Sequence, residues 1–250
     1  MKFTVTHIGT ATVLLEIGGL RLLTDPVFDP APAEYRIGPV VLNSTVGPAV
    51  AIEDLPEIDA VLLSHDDHPD NLDDTGRTLL PGRPVLTTES GAGRLGGQAV
   101  GLAPWATYEL TVRGTTLRIT ATPALHGPIG DVVGFVIQAE GEDEALYISG
   151  DTVYTEELDE IARRFTIGTA LLHLGAARFA AFGGGRLISM DAAQGAALTR
   201  SLGAHTTIPI HYESWEHFAE DRDQITAAFE TAGLADRLQW LTPGTRQNLG

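Results

Sequence analysis

Val61-Leu62-Leu63-Ser64-His65-Asp66-Asp67-His68-Pro69-Asp70-Asn71-Leu72-Asp73 is the stretch around which the chain is organised. Its three branched apolar residues read as the end of a buried strand. Behind them come two histidines, four aspartates and an asparagine. A strand that stops there leaves His65, His68, Asp70 and Asn71 within a turn of one another. Imidazoles and carboxylates gathered at one point are the ligand types that zinc, manganese or iron takes. The plainer reading is a solvated acidic loop that caps the next helix through Asp70 or Asn71.

Working outward, three more apolar runs end in the same way: Ala124-Leu125-His126, Ile148-Ser149-Gly150-Asp151 and Pro209-Ile210-His211. One such ending is a satisfied histidine or a turn aspartate. Four of them suggest strands of stacked sheets delivering ligands to a common edge, because rigid strands hold donors within the tolerance a metal demands. Upstream, Phe3 to Thr24 reads as a meander of strands turned at Gly9 and Gly18-Gly19. It stops at Thr24-Asp25-Pro26, which places Asp25 near His65 if the two strands pair.

From Pro26 to Pro56, prolines at 26, 30, 32, 39 and 48 and no sustained period predict a long irregular loop, of the kind used as a binding loop or lid. After the His-rich turn, short helices are expected over 72–80 and 90–95, with strands over 84–87 and 99–102 around the second. The runs 107–113 and 115–122 alternate about Gly114 as a hairpin; 132–139 and 145–149 make another strand pair. Thr155 to Phe165 is helical, with Leu158, Ile161, Ala162 and Phe165 on one face. Ala170 to Leu174 is a buried strand, and 175–185 a flexible stretch. Ser189 looks like the N-cap of a helix running to about Leu202, 206–210 is a strand, and the last helix spans 218–232, closed by Gly233. No linker and no repeat divides the chain, so one domain over residues 1–250 is expected.

The formal net charge of −17 argues against nucleic acid or an anionic membrane as a partner. A metal centre, which inverts the local field, still admits an anionic substrate. The absence of cysteine removes thiolate nucleophiles and Cys-ligated zinc, and no G-x-S-x-G elbow supports a serine hydrolase. The first residues alternate like a strand, and no apolar run approaches a membrane span. A soluble cytoplasmic protein is the expectation; its oligomeric state is not readable.

These residues carry a family resemblance. The chain resembles the metallo-β-lactamase-fold hydrolases, in the branch of L-ascorbate-6-phosphate lactonase and the N-acyl-phosphatidylethanolamine phospholipase D-like proteins. The likeness runs through His7-Ile8-Gly9-Thr10, Leu23-Thr24-Asp25-Pro26, the His-rich turn, Pro123-Ala124-Leu125-His126, Ser149-Gly150-Asp151-Thr152, Met190-Asp191 and Pro209-Ile210-His211-Tyr212. It implies an α/β fold, a four-layer αββα sandwich with metals at one edge. The family's turn reads H-x-H-x-D-H. Here His65 fits its first histidine with His68 one residue late, or, counted back from Asp70, His68 fits the second and Asp66 falls at the first. Asn71 stands at the third in either register.

By that resemblance one site takes His65 (or Asp66), His68 and His126, and a second takes Asp70, Asp151 and His211, with Asp151 shared. Asn71, or an added Asp66 or Asp67, completes the second site. One or two divalent ions, zinc or manganese, are expected, the second held more weakly for want of an imidazole. The implied activity is that of a metal-dependent hydrolase, a lactonase, esterase or phosphodiesterase. In it a metal-bound hydroxide attacks an ester, lactone or phosphodiester, and Asp70 orients it and takes its proton. Asp25 would hold a ligand histidine by its second nitrogen, and His173, Arg178 and His217 would shape the substrate pocket. The alternative is a catalytically silent relative that binds a ligand or partner. His205 and Asp191 read as structural.

Overall fold

The computed structural model describes residues 1–127, 130–179 and 185–250. Three antiparallel strands, β1 (Phe3–Gly9), β2 (Thr12–Ile17) and β3 (Leu20–Thr24), open the chain, and β15 (Gln247–Leu249) pairs against β1. Beyond β3 the same sheet turns parallel through β6 (Ala60–Leu62), β7 (Val85–Thr87) and β8 (Ala99–Gly101). A second sheet runs β14 (Thr206–Ile210), β13 (Ile167–His173), β12 (Ala145–Ile148), β11 (Gly134–Ala139), β10 (Thr115–Thr122) and β9 (Thr107–Val112).

The pleat sorts each strand's residues between two layers. Val13, Leu15 and Ile17 of β2, Leu62 of β6 and Leu146, Ile148, Leu171 and Ile208 of the second sheet share one core between the sheets. The intervening residues face outward under helices. Leu14, Leu23 and Val61 pack on the side of α1 (Asp74–Arg77) and α2 (Glu89–Leu95). Tyr147, Ala170 and Leu172 pack beneath α3 (Asp159–Arg164), α4 (Ala192–Leu202) and α5 (Arg222–Thr231). Burial of both faces is why the parallel strands read as unbroken apolar runs. The result is the expected αββα sandwich.

Local chemistry moves several boundaries. Asp73, not Asp70 or Asn71, caps α1, its carboxylate accepting the Gly76 N–H at 2.6 Å and those of Phe28 and Asp29 as well. That helix is a single turn rather than 72–80. Asp191 caps α4, because the Ser189 hydroxyl is engaged by the Ala177 N–H. A capping box of Asp221 and Gln224 starts α5 four residues later than Phe218, which packs instead on His211 and His217. The helix expected from Thr155 opens as a 3-10 turn, Glu156–Leu158. Part of the stretch read as flexible, 180–184, lies outside the described residues.

The loop expected over 26–56 contains a hairpin, β4 (Ala33–Ile37) and β5 (Val40–Ser44), turned at Gly38-Pro39. It pairs with neither large sheet. Among the described residues no helix is long and apolar enough to cross a membrane.

Candidate metal centre

The carboxyl ends of β3, β6, β10, β12, β13 and β14 open on one edge of the sandwich, where side chains can converge without breaking a ladder. The Asp25 N–H continues the β3–β6 pairing onto Leu62 O at 3.0 Å, and Val133 N–H reaches across the sheets to Ser64 O at 3.1 Å. Gly150 makes the corner before Asp151 at φ +61°; a Cβ there would lie 2.6 Å from Val133 O, so only glycine lets the two sheets close at this point. His211 sits in the left-handed region at φ +56°, tied by its N–H to Thr10 O at 2.8 Å. A non-glycine residue held there stores backbone strain of roughly 1–3 kcal/mol, a feature concentrated at functional sites.

Two donor groups result. The ring nitrogens of His65, His68 and His126 lie within 4.8 Å of one another, and so do the donor atoms of Asp70, Asp151 and His211. In the first group His65 Nε2 is 2.8 Å and His126 Nε2 3.3 Å from His68 Nδ1. Their remote nitrogens are engaged: His65 Nδ1 lies 2.9 Å from Ser64 Oγ, and His126 Nδ1 donates to Ile188 O at 2.6 Å. Such outer partners leave the inward nitrogens as lone-pair donors. In the second group His211 stands between two carboxylates, Nε2 3.4 Å from Asp70 Oδ2 and Nδ1 3.3 Å from Asp151 Oδ1. Asp151 Oδ2 faces the first group, 3.9 Å from His126 Nε2.

Electrostatics fit a divalent cation. Burial holds the His65 imidazole well below its ordinary range and lowers His126, so both are neutral ligands at pH 7. For His211, burial is outweighed by Asp151 and Asp70, and its pKa is raised. For Asp70, burial pushes up, but the neighbouring His211 and His217 imidazoles hold it well below the carboxylate range. Asp70 and Asp151 are thus buried carboxylates whose ion-pair partners among the described residues are histidines alone. Asp70 Oδ1, Asp151 Oδ1 and both ring nitrogens of His211 are buried without a hydrogen-bond partner. Buried, orphaned donors of this chemistry are costly unless a cation meets them.

The structure separates the remaining candidates. Asp66 is turned out of the cluster by a two-pronged pair with Arg94, at 2.6 and 3.1 Å, and Arg94 also reaches Asp67 at 3.1 Å. The extra residue of the turn is taken up there, so His65 and not Asp66 joins the imidazole cluster. Asn71 is fully buried, its amide 3.4 Å from Ser64 Oγ. His173 corrects the substrate-pocket reading: it is fully buried, with Nδ1 3.5 Å from Asp151 Oδ1 and Nε2 3.9 Å from Asp25 Oδ2. Arg178 is exposed and stands outside the pocket lining. Asp25, whose Oδ1 accepts the Ser64 N–H at 2.6 Å, is pushed up to about 8 by burial. His217 does reach the site, its Nε2 donating to Asp70 Oδ2 at 3.1 Å.

Above the donors lies a cavity of about 130 Å³ roofed by Ile37, Val40, Leu42, Phe179 and Ile188 and floored by His68, Asp70, His126, Asp151, His211 and His217. Sequence reading missed the roof. The alternation of Tyr35, Ile37, Val40 and Leu42 about Gly38-Pro39 was the available signal.

Residues 20–212 match the family model of the beta-lactamase superfamily domain. The chain is 29% identical to a UPF0173 metal-dependent hydrolase of Methanosphaerula palustris, over 90% of this chain and 91% of that protein. It is 24% identical to the mitochondrial N-acyl-phosphatidylethanolamine-hydrolyzing phospholipase D of Saccharomyces cerevisiae over 93% of its length, spanning 53% of the yeast protein. Its fold superposes on the crystal structure of isothiocyanate hydrolase from Delia radicum gut bacteria with a TM-score of 0.83, at 24% identity and 98% coverage of each chain. With a matching domain model, a shared fold and His/Asp clusters at the shared strand edge, the chain belongs to the beta-lactamase superfamily and is a metal-dependent hydrolase of the metallo-β-lactamase fold.

Proposed function

We propose that the chain hydrolyses a small, neutral, largely apolar ester or lactone. The observation that carries this is the meeting of an apolar roof and an orphaned His/Asp floor in one cavity with no lysine or arginine in its described lining. Residues 128–129 and 180–184, which lie outside the described structure, are Pro-Ile and Ala-Ala-Phe-Gly-Gly and add no cation in sequence. A phosphodiester or other anion would meet Asp67, Asp70 and Asp151 with only the metal to offset them. The volume is of the order of the ~150 Å³ hollow that admits benzene, which favours a short acyl, alkyl or aryl group over a long lipid chain.

His65, His68 and His126, and Asp70, Asp151 and His211, would hold divalent ions, which when bound would supply Lewis acidity toward water and the scissile bond. The three-imidazole set favours zinc over manganese. Asp70, whose Oδ2 is fixed by His217, would orient the attacking water and take up its proton from the carboxylate that also faces the second ion. The roof of Ile37, Val40, Leu42 and Phe179 excludes bulk water and seats the apolar part of the substrate.

The test is a panel of aryl acetates, small lactones and bis-aryl phosphodiesters offered to zinc- and manganese-loaded protein. The gut-bacterial neighbour is named an isothiocyanate hydrolase; small isothiocyanates share the neutrality and belong in the same panel. Neutral substrates should turn over at least ~10-fold faster than the phosphodiester, and Asp70→Asn should lose about 10²-fold or more, the lower end of what a positioned acid–base group contributes. Preference for the phosphodiester overturns the substrate class. No turnover of any substrate by fully loaded protein favours the silent binding relative.

A further inference from the structure

His173 ends β13 in register with Ile210 of β14, the residue before His211, so adjacent parallel strands deliver their histidines side by side. Leu171 faces the core between the sheets and Leu172 the helical layer, so the pleat turns His173 back between the sheets. Its backbone is fixed: the His173 N–H donates to Ser149 Oγ at 3.0 Å, and Leu174 N–H to Ile210 O at 3.0 Å. The ring is fully buried and neither nitrogen has a hydrogen-bond partner.

Both nitrogens nevertheless have neighbours with a meaning. Asp151 Oδ1 lies 3.5 Å from His173 Nδ1 and 3.3 Å from His211 Nδ1, and the two rings stand 5.1 Å apart. Donor atoms each near 2.1 Å from one ion are separated by roughly 3–4 Å. On the far side, His173 Nε2 faces Asp25 Oδ2 at 3.9 Å, and that carboxylate is pinned by the Ser64 N–H. A histidine with one nitrogen toward a donor cluster and the other toward a carboxylate is the arrangement in which an outer-shell acid orients a metal ligand. Of the residues of the turn that might have filled the gap, Asp66 and Asp67 are engaged with Arg94, and Asn71, its amide nitrogen 3.4 Å from Ser64 Oγ, has only a neutral, buried and unpartnered Oδ1 to offer in place of an imidazole.

We propose that His173 is a metal ligand of the second site, delivered from β13, and that it supplies the imidazole the His-rich turn lacks at Asn71, with Asp25 as its orienting carboxylate. The proposal rests on the metal-centre reading above. Its test reads metal binding and not turnover, so its failure is distinct from failure of the substrate assignment.

Zinc binding by wild type, His173→Ala and His173→Ala/Asn71→His is followed by chelator competition, with circular dichroism on each. His173→Ala should keep the first ion at wild-type affinity, which reports an intact fold, and hold the second at least ~10-fold more weakly. Asn71→His in that background should restore it. In the cobalt-loaded protein, His173→Ala should remove one paramagnetically shifted imidazole N–H signal, which a histidine acting only by packing would not supply. Unchanged affinity for both ions in His173→Ala, or retention of every shifted imidazole signal, overturns the proposal. If His173→Ala fails to hold even the first ion, His173→Gln is read by the same signals, and a full wild-type set of them overturns it equally.

Discussion

The Ser64 hydroxyl lies 2.9 Å from His65 Nδ1 and 3.4 Å from the Asn71 amide nitrogen, all three groups being buried. With His65 Nδ1–H donating to it, His65 Nε2 is left bare beside His68. Ser64→Ala removes that partner and frees the imidazole to take the other tautomer. The first ion should then weaken by roughly 10–100-fold, the usual cost of losing an outer-shell partner, with the far-ultraviolet spectrum unchanged; chelator competition measures it. Asn71 is thereby given a second reading. In sequence it stood where a ligand histidine belongs, whereas in the fold its amide also completes the support of His65. The candidate donors that the fold brings together were legible because histidines and aspartates followed apolar runs. The supporting hydroxyl was not, because a serine beside a histidine carries no signal until the strand end is folded.

At the scale of elements, the β4–β5 hairpin roofs the site without belonging to either large sheet; a backbone bridge between Ser44 and Trp215, with Thr45 N–H on Ser214 O at 2.8 Å and Glu216 N–H on Asn43 O at 3.1 Å, holds it together with a few side-chain ties. Tyr35 donates to Asp29 Oδ2 at 2.8 Å and packs on Trp215 at 5.3 Å between ring centroids; the Trp215 indole donates to Thr10 Oγ1 at 3.0 Å. For Asp29, burial pushes the carboxyl up, but hydrogen bonds from Thr75 and Tyr35 prevail and its pKa is lowered. A lowered folded pKa means the tie is fully present above the unfolded value of 3.8 and is lost as pH falls through the folded one. Asp29→Ala should speed hydrogen exchange across 33–44 at pH 7 and raise KM for a neutral substrate more than it lowers kcat. In wild type the same acceleration, corrected for intrinsic rate, should appear only below about pH 4. Equal exchange in wild type and variant at pH 7 would remove Asp29 from the anchor. The hairpin was hidden in the sequence because prolines masked a weak alternation and because, among the described residues, its two strands pair with each other and with no other strand. The hairpin of β9 and β10 was plain, since its clean alternation turns on Gly114.

Over the whole molecule, the sandwich was legible because both faces of the central strands are buried and the four ligand-bearing ends follow continuous apolar runs. His173 was placed on the right edge but given the wrong surroundings, since an apolar run ending in histidine reads the same whether the ring faces a pocket or lies beneath it. A chain of net charge −17 that buries Asp70 and Asp151 beside histidines alone is held against self-repulsion at this edge, and bound cations relieve it. Ions present at 100 times their dissociation constant add about 2.7 kcal/mol of stability. For a chain of this size each kcal/mol moves Tm by about 2–4 °C, so chelation should lower Tm by roughly 5–10 °C and zinc should restore it. An unchanged Tm in protein shown to have lost its metal would separate the fold's stability from the site.

The central claim is that strand ends of two sheets hold metal at one edge, and anomalous diffraction from zinc-soaked crystals tests it most directly. The account predicts two anomalous peaks. One lies within about 2.1 Å of nitrogens of His65, His68 and His126, the other equally near carboxylate oxygens of Asp70 and Asp151 and a nitrogen of His211. The absence of a peak among His65, His68 and His126, or strong peaks held only by surface carboxylates, would contradict it.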